Sequence, residues 1–122
     1  MKDFRDLQVW HKAHRLVLAS YRSTIAFPKQ EVYGMTSQIR RCAASVAANI
    51  AEGCGKRGNA EFQRYLNIAA GSASELEYHF LLARDLNLFD ETTYQQLNRD
   101  VVEVKRMLAA LVRKVESERL AS

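Results

Sequence analysis

Apolar residues recur along almost the whole chain in steps of three and four, the spacing that puts them on one side of an α-helix. In the last quarter, Tyr94, Leu97, Val101, Val104, Leu108, Leu111 and Val115 form such a seam, with Asp90-Glu91 placed to cap its start. Before it, Phe62, Leu66, Ala69, Ala73, Leu76, Phe80 and Ala83 repeat at the same spacing. Asn59 is the expected cap of that helix, and Asn87 stands where a left-handed stop would suit. The first segment sets Leu7, Trp10, Val17, Tyr21 and Ile25 on one stripe and ends before Pro28. The second carries Met35, Ile39, Cys42, Val46 and Ile50 and closes at Gly53-Cys54-Gly55. No stretch sustains strand alternation. The pattern therefore predicts an all-α single domain over residues 1–122, with helices roughly over 5–26, 30–53, 59–87 and 90–118. Short connections make successive helices antiparallel, an up-down-up-down four-helix bundle.

The second helix breaks the usual rule that one side of a surface helix is charged. Its stretch CAASVAANIA, Cys42 to Ala51, has no charge at all. Beside the apolar stripe runs a polar one, Gln38, Arg41, Ser45, Asn49 and Glu52, and the remaining side is Ala44, Ala47, Ala48 and Ala51. Alanine is the best helix former and tolerates exposure. The sharper reading is enclosure: the alanine side admits another helix at short distance, matched by the small-residue run Ala69-Ala70-Gly71-Ser72-Ala73-Ser74 in helix 3. One small bundle cannot surround its own helix, so the expected neighbour is a second copy of the chain, in a ring-like homo-oligomer. A buried Arg41 or Glu52 would need partners. A satisfied interhelical network of Gln38, Arg41, Asn49, Glu52, Ser72 and Glu75 is the expectation there, in preference to catalysis.

Composition changes this picture little: 122 residues, 48% hydrophobic and 26% charged, describe an ordinary globular domain long enough to hold a core without staples. The start MKDFRD lacks an apolar signal core and no run is long enough to span a membrane, so a cytoplasmic protein is expected. Cys42 and Cys54 match no zinc spacing and are expected reduced, Cys42 as a small core residue. Charge is more informative. Residues 1–64 hold eleven Lys/Arg against five Asp/Glu, whereas residues 65–122 hold seven against nine. The basic half points to anionic partners, nucleic acid first.

A di-iron bundle needs two Glu-x-x-His pairs and two further Glu, but Glu75 and His79 stand four apart without a second pair. His11 and His14 share a helix side, where a hydrogen-bonded pair is commoner than a metal site. No metal, cofactor or catalytic residue is expected. No nucleophile signature is present. Arg5 to His11 has the spacing of the Arg-polar-x-His motif of HEPN-type ribonucleases, though at the start of the first helix rather than in a late one. Phosphate binding has better support: Lys12, Arg15 and Arg22 lie opposite the apolar stripe of helix 1, and Lys56 and Arg57 occupy a glycine-flanked loop with Arg64 beyond it. The alternative is a merely solvated basic side. No base-reading motif accompanies these cations, so backbone or shape recognition of nucleic acid, RNA before DNA, is the expected mode.

Four stretches, FRDLQVW at 4–10, FP followed by EVYGM within 27–35, SQIRRCAASVAANIAEG at 37–53 and EFQRYLNIAAGSASELE at 61–77, together resemble one family. It is the four-helix-bundle proteins named after intervening sequences of bacterial 23S ribosomal RNA. The resemblance implies a homopentamer. It also implies kinship with the accessory variability protein of diversity-generating retroelements, a basic pentameric barrel that binds nucleic acid and associates with a reverse transcriptase. Gln38, Arg41, Asn49, Glu52, Ser72 and Glu75 match the family's polar signature, which has no established catalytic role. The chain departs from the pattern at Ala48, often proline in the family, and at Cys42, commonly alanine. The expected function is thus a non-enzymatic oligomeric nucleic-acid binder. An adaptor docking a protein such as a reverse transcriptase is the second reading, and a ribonuclease using Arg5 and His11 the third.

Overall fold

The computed structural model describes residues 2–121. A 3-10 turn at Phe4–Asp6 leads into α1 (Gln8–Thr24), and a second at Lys29–Glu31 precedes α2 (Met35–Cys54). Then come α3 (Gly58–Asp85) and α4 (Glu91–Ala121), with no strand among the described residues. Helix α2 packs on α1 and α3, and α4 packs on α3 and α1, while α1 and α3 share no contact and are therefore diagonal. Lys2 N–H reaches the Cys54 carbonyl (2.8 Å), and Arg40 near the start of α2 bonds Thr24 at the end of α1 (2.9 Å), so α1 and α2 run antiparallel. Lys105–Glu77 and Arg119–Gln63 contacts show the same for α3 and α4. The all-α four-helix bundle read from the periodicity is the architecture of the chain.

The core follows the predicted seams of α2, α3 and α4: Ile39, Val46, Ile50, Phe62, Leu66, Leu76, Phe80, Val101, Val104 and Leu108 are fully buried. Helix α1 differs. Its buried residues are Val9, Ala13, Leu16, Ser20 and Thr24, whereas Tyr21 is 42% and Ile25 74% exposed. The buried side is displaced by about 100°, one residue, from the predicted stripe. At Thr24 the burial is compensated: Oγ1 donates to the Ser20 carbonyl (2.9 Å) and accepts from Arg40 Nε (2.9 Å), whereas the buried Ser20 hydroxyl has no partner among the described residues. The Tyr21 ring stays at the rim under the Arg40 guanidinium, 4.8 Å from its centroid.

Helix ends agree with expectation at α3 and α4. Asn87 has φ 61°, Leu88 N–H bonds Ala83 O (2.8 Å) and Asn87 N–H bonds Arg84 O (2.9 Å), the paired bonds of a Schellman stop. Asp90 Oδ1 accepts from Thr93 N–H (2.7 Å) and caps α4. Two boundaries move. Helix α2 begins at Met35 rather than near 30, because Pro28 initiates a tight turn and Glu31 Oε1 accepts the Met35 N–H (3.1 Å). A Cβ at Gly34 would lie 2.9 Å from that carboxylate oxygen. Helix α3 is entered through Gly58 at φ 77°, not through an Asn59 cap. None of the helices is long and apolar enough to cross a membrane, among the described residues.

Candidate nucleic-acid interface and the polar seam of α2 and α3

The six cations expected to meet phosphate divide into two groups. Lys12, Arg15 and Arg22 are exposed on α1, Arg15 and Arg22 pointing away from its buried side. They span ten residues, roughly 15 Å of helix. Lys56, Arg57 and Arg64 belong to the α2–α3 connection and to α3, the diagonal helix. The cations therefore do not share one side of the single chain. Nor are they equally available. Arg64 meets Glu61 through two nitrogens (3.2 and 3.3 Å), and Lys56 lies 4.0 Å from Glu52. Both also stand over the Tyr65 ring, at 4.6 and 5.4 Å. The Arg64 pair holds the Glu61 carboxyl below the usual carboxylate range, chiefly through the hydrogen bond. Lys12 adds a minor part to the lowering at Glu103, where the Arg106 bond dominates. Arg15, Arg22 and Arg57 have no ion pair or side-chain hydrogen bond among the described residues.

The polar stripe of α2 meets α3 along part of its length only. Ser45 Oγ and Ser72 Oγ are 2.8 Å apart, and Asn49 Nδ2 donates to the Ser45 carbonyl (2.8 Å) and hydroxyl (3.0 Å). The antiparallel register that sets Ser45 opposite Ser72 also sets Cys42 opposite Glu75. The Cys42 thiol donates to the Glu75 carboxylate, and His79 Nε2 lies 3.3 Å from Glu75 Oε2. These bonds, that from Cys42 first, hold the Glu75 carboxyl below its ordinary range. Burial, and then the bond to Glu75, push the Cys42 thiol up from 9.0 to about 12. Arg41 and Glu52 face solvent, and Gln38 is half-buried with no side-chain bond. A single buried network of Gln38, Arg41, Asn49, Glu52, Ser72 and Glu75 is thus not what the single chain forms. The physical reason is exposure: Arg41 and Glu52 stay in solvent, and Arg41 acts on Glu75 of α3 only through its charge, which helps lower that carboxyl. Ser45, Cys42 and His79 were missing from that list. Their signal is the matched spacing of Cys42-Ser45-Asn49 and Ser72-Glu75-His79, read only once the register is known.

The alanine side also divides. Ala47 is buried in the subunit's own core, Ala44 and Ala51 are half-buried, and Ala48 is exposed. On α3, Ala69 and Ala73 are core residues, while a Cβ at Gly71 would meet nothing within 4 Å. At the chain start, Arg5 pairs with Asp3 (3.3 Å), and His11 Nε2 donates to the Arg5 carbonyl (2.6 Å). The His11 edge and the His14 face both rest on the Trp10 indole, at 5.2 and 4.9 Å. The groups of the ribonuclease reading are therefore engaged in local structure.

The family model of the 23S rRNA-intervening sequence proteins matches residues 5–110. The chain belongs to that family. A crystal structure of a protein of unknown function from the S23 ribosomal protein family of Bacteroides thetaiotaomicron VPI-5482 superposes with a TM-score of 0.77 at 27% identity. The match covers 85% of this chain and 97% of that one. No curated protein matches. The four helices of this family member thus have a solved counterpart, and that counterpart is itself described as of unknown function.

Proposed function

We propose that this family member is a non-enzymatic homo-oligomer, a pentameric ring, that binds structured RNA through phosphate contacts. The observation that carries the reading is the set of unpaired, exposed guanidinium groups of Arg15, Arg22 and Arg57 on a chain of net charge +4. Lys12, Lys56 and Arg64 add to them. Lys56 and Arg64 must exchange Glu52 and Glu61 for phosphate, so they contribute less. Two separated cation groups on a subunit become alternating bands when the subunit is repeated around a ring, and weak contacts then add. The packing surfaces of the ring are the outer alanine side of α2 (Ala44, Ala48, Ala51) and the small-residue run of α3 around Gly71. A protein-docking adaptor is the second reading, favoured by the exposed Ile25, Val32 and Tyr33 at one end of the bundle, the last 93% exposed.

The test is fluorescence anisotropy of a labelled structured RNA at roughly 50 and 200 mM salt, with fragment size followed in parallel. Tight binding of intact RNA that weakens steeply with salt is expected. Arg15→Ala with Arg57→Ala should weaken all sequences similarly and flatten the salt slope by about one unit per lost contact. No binding at the lower salt overturns the phosphate-binding reading and leaves the adaptor, and degradation of the RNA overturns the non-enzymatic one.

A further inference from the structure

We propose that Cys42, Glu75 and His79 form a binding site for a zinc-class divalent cation that clips α2 to α3. Nothing in the RNA-binding reading requires it. The sulfur of Cys42, a carboxylate oxygen of Glu75 and a ring nitrogen of His79 all lie within 4.8 Å of one another. A tetrahedral zinc ion holds sulfur at about 2.3 Å and nitrogen or oxygen at about 2.0–2.2 Å, which spaces ligand atoms about 3.3–3.6 Å apart. His79 Nε2 and Glu75 Oε2 are already 3.3 Å apart. The remaining contraction, of the order of an ångström, falls within the reach of side-chain torsions.

The donor set selects the ion. One thiolate, one imidazole and one carboxylate suit zinc and its neighbours in the transition series, whereas magnesium and calcium take oxygen alone. The carboxylate of Glu75 is 57% exposed, so the site opens to solvent and leaves the fourth position to water. Cys42 is fixed from the other side, being buried on α2. A buried cysteine is ordinarily a small apolar residue. This one belongs to the core cluster and also faces a carboxylate and an imidazole across the helix interface, within 4.8 Å.

The histidine presents Nε2 to Glu75, so Nε2 is the ring atom placed to ligate, and the buried Nδ1 keeps the ring proton. Coordination takes the thiolate, and the ion supplies the charge that stabilises it. The ion takes the sulfur lone pair, the thiol proton leaves to solvent, and one proton is released per ion bound. From the sequence Cys42 is a core residue and Glu75–His79 has no second such pair; the third ligand comes from the neighbouring helix.

The experiment is a titration of chelator-stripped, reduced protein with Co²⁺, read by absorption. The expected result is a thiolate-to-cobalt charge-transfer band that saturates at one ion per chain and is bleached by Zn²⁺. Cys54→Ser should keep the band. Cys42→Ala and His79→Gln should lose it and weaken binding by more than the roughly tenfold that loss of an outer-shell partner costs. Glu75→Gln, at an exposed position that burdens folding least, should weaken binding with the helical circular dichroism unchanged. Absence of the band overturns the proposal. So does a band that survives Cys42→Ala or vanishes in Cys54→Ser, and so does Co²⁺ binding that persists without the band and is lost with His11 and His14.

Discussion

A Cβ placed on Gly53 would lie 2.8 Å from Tyr65 Cβ and 3.2 Å from Phe62 Cδ1. Tyr65 Cβ sits next to the α3 backbone and cannot swing aside, so the two helices must part to admit a methyl group. Gly53→Ala should cost about 1–3 kcal/mol from overpacking, more than the ~1 kcal/mol gained in helix propensity. A denaturation midpoint that rises instead would show that α2 and α3 separate freely there. From the sequence, Gly53 reads as punctuation at a helix end, and its position near the end of α2 agrees. Its steric role was invisible, because the residues it must clear are nine and twelve positions away on another helix. Cys42 teaches the same lesson in chemistry. Its place on the apolar stripe was readable, but the carboxylate opposite it was not.

At the scale of the helix, local signals decided most of what was found. Asp90 was legible as a cap because its carboxylate needs only the Thr93 N–H three residues on. That bond holds its carboxyl below the ordinary range. A lowered folded-state value means stability is present above the unfolded value, near 3.8, and lost as pH falls through the folded one. Asp90→Ala should therefore lower the melting temperature at neutral pH, and the gap from the native protein should close in acid; a gap independent of pH would remove the cap. The Asn87 stop was legible for the same local reason. The phase of α1 was not. Apolar size favoured Trp10, Tyr21 and Ile25 as the core side, yet Ser20 and Thr24 were buried in their place. Arg40, which comes from α2, satisfies the Thr24 hydroxyl, a partner that no stretch near α1 reveals.

The whole molecule raises the question of what covers its outer sides. Ala48 is exposed and its neighbours Ala44 and Ala51 are half-covered in the single chain. Ala48→Glu leaves the subunit core untouched, so the proposed ring should fall to monomers in light scattering while the helical signal and the unfolding of the subunit persist. An unchanged mass would take Ala48 out of any interface. Ala47→Glu would not discriminate, since Ala47 belongs to the subunit's own core and its loss would unfold the chain.

Four helices, their order, the seams of α2, α3 and α4 and the Asn87 and Asp90 boundaries followed from the sequence by itself, because helical periodicity and caps are written within a few residues of one another. Tertiary structure alone decided the side α1 buries, the division of the cations between diagonal helices and the meeting of Cys42 with Glu75 and His79. Each of these depends on the register and rotation of one helix against another. That geometry is fixed by the summed packing of many side chains, to which no single stretch of sequence holds the key.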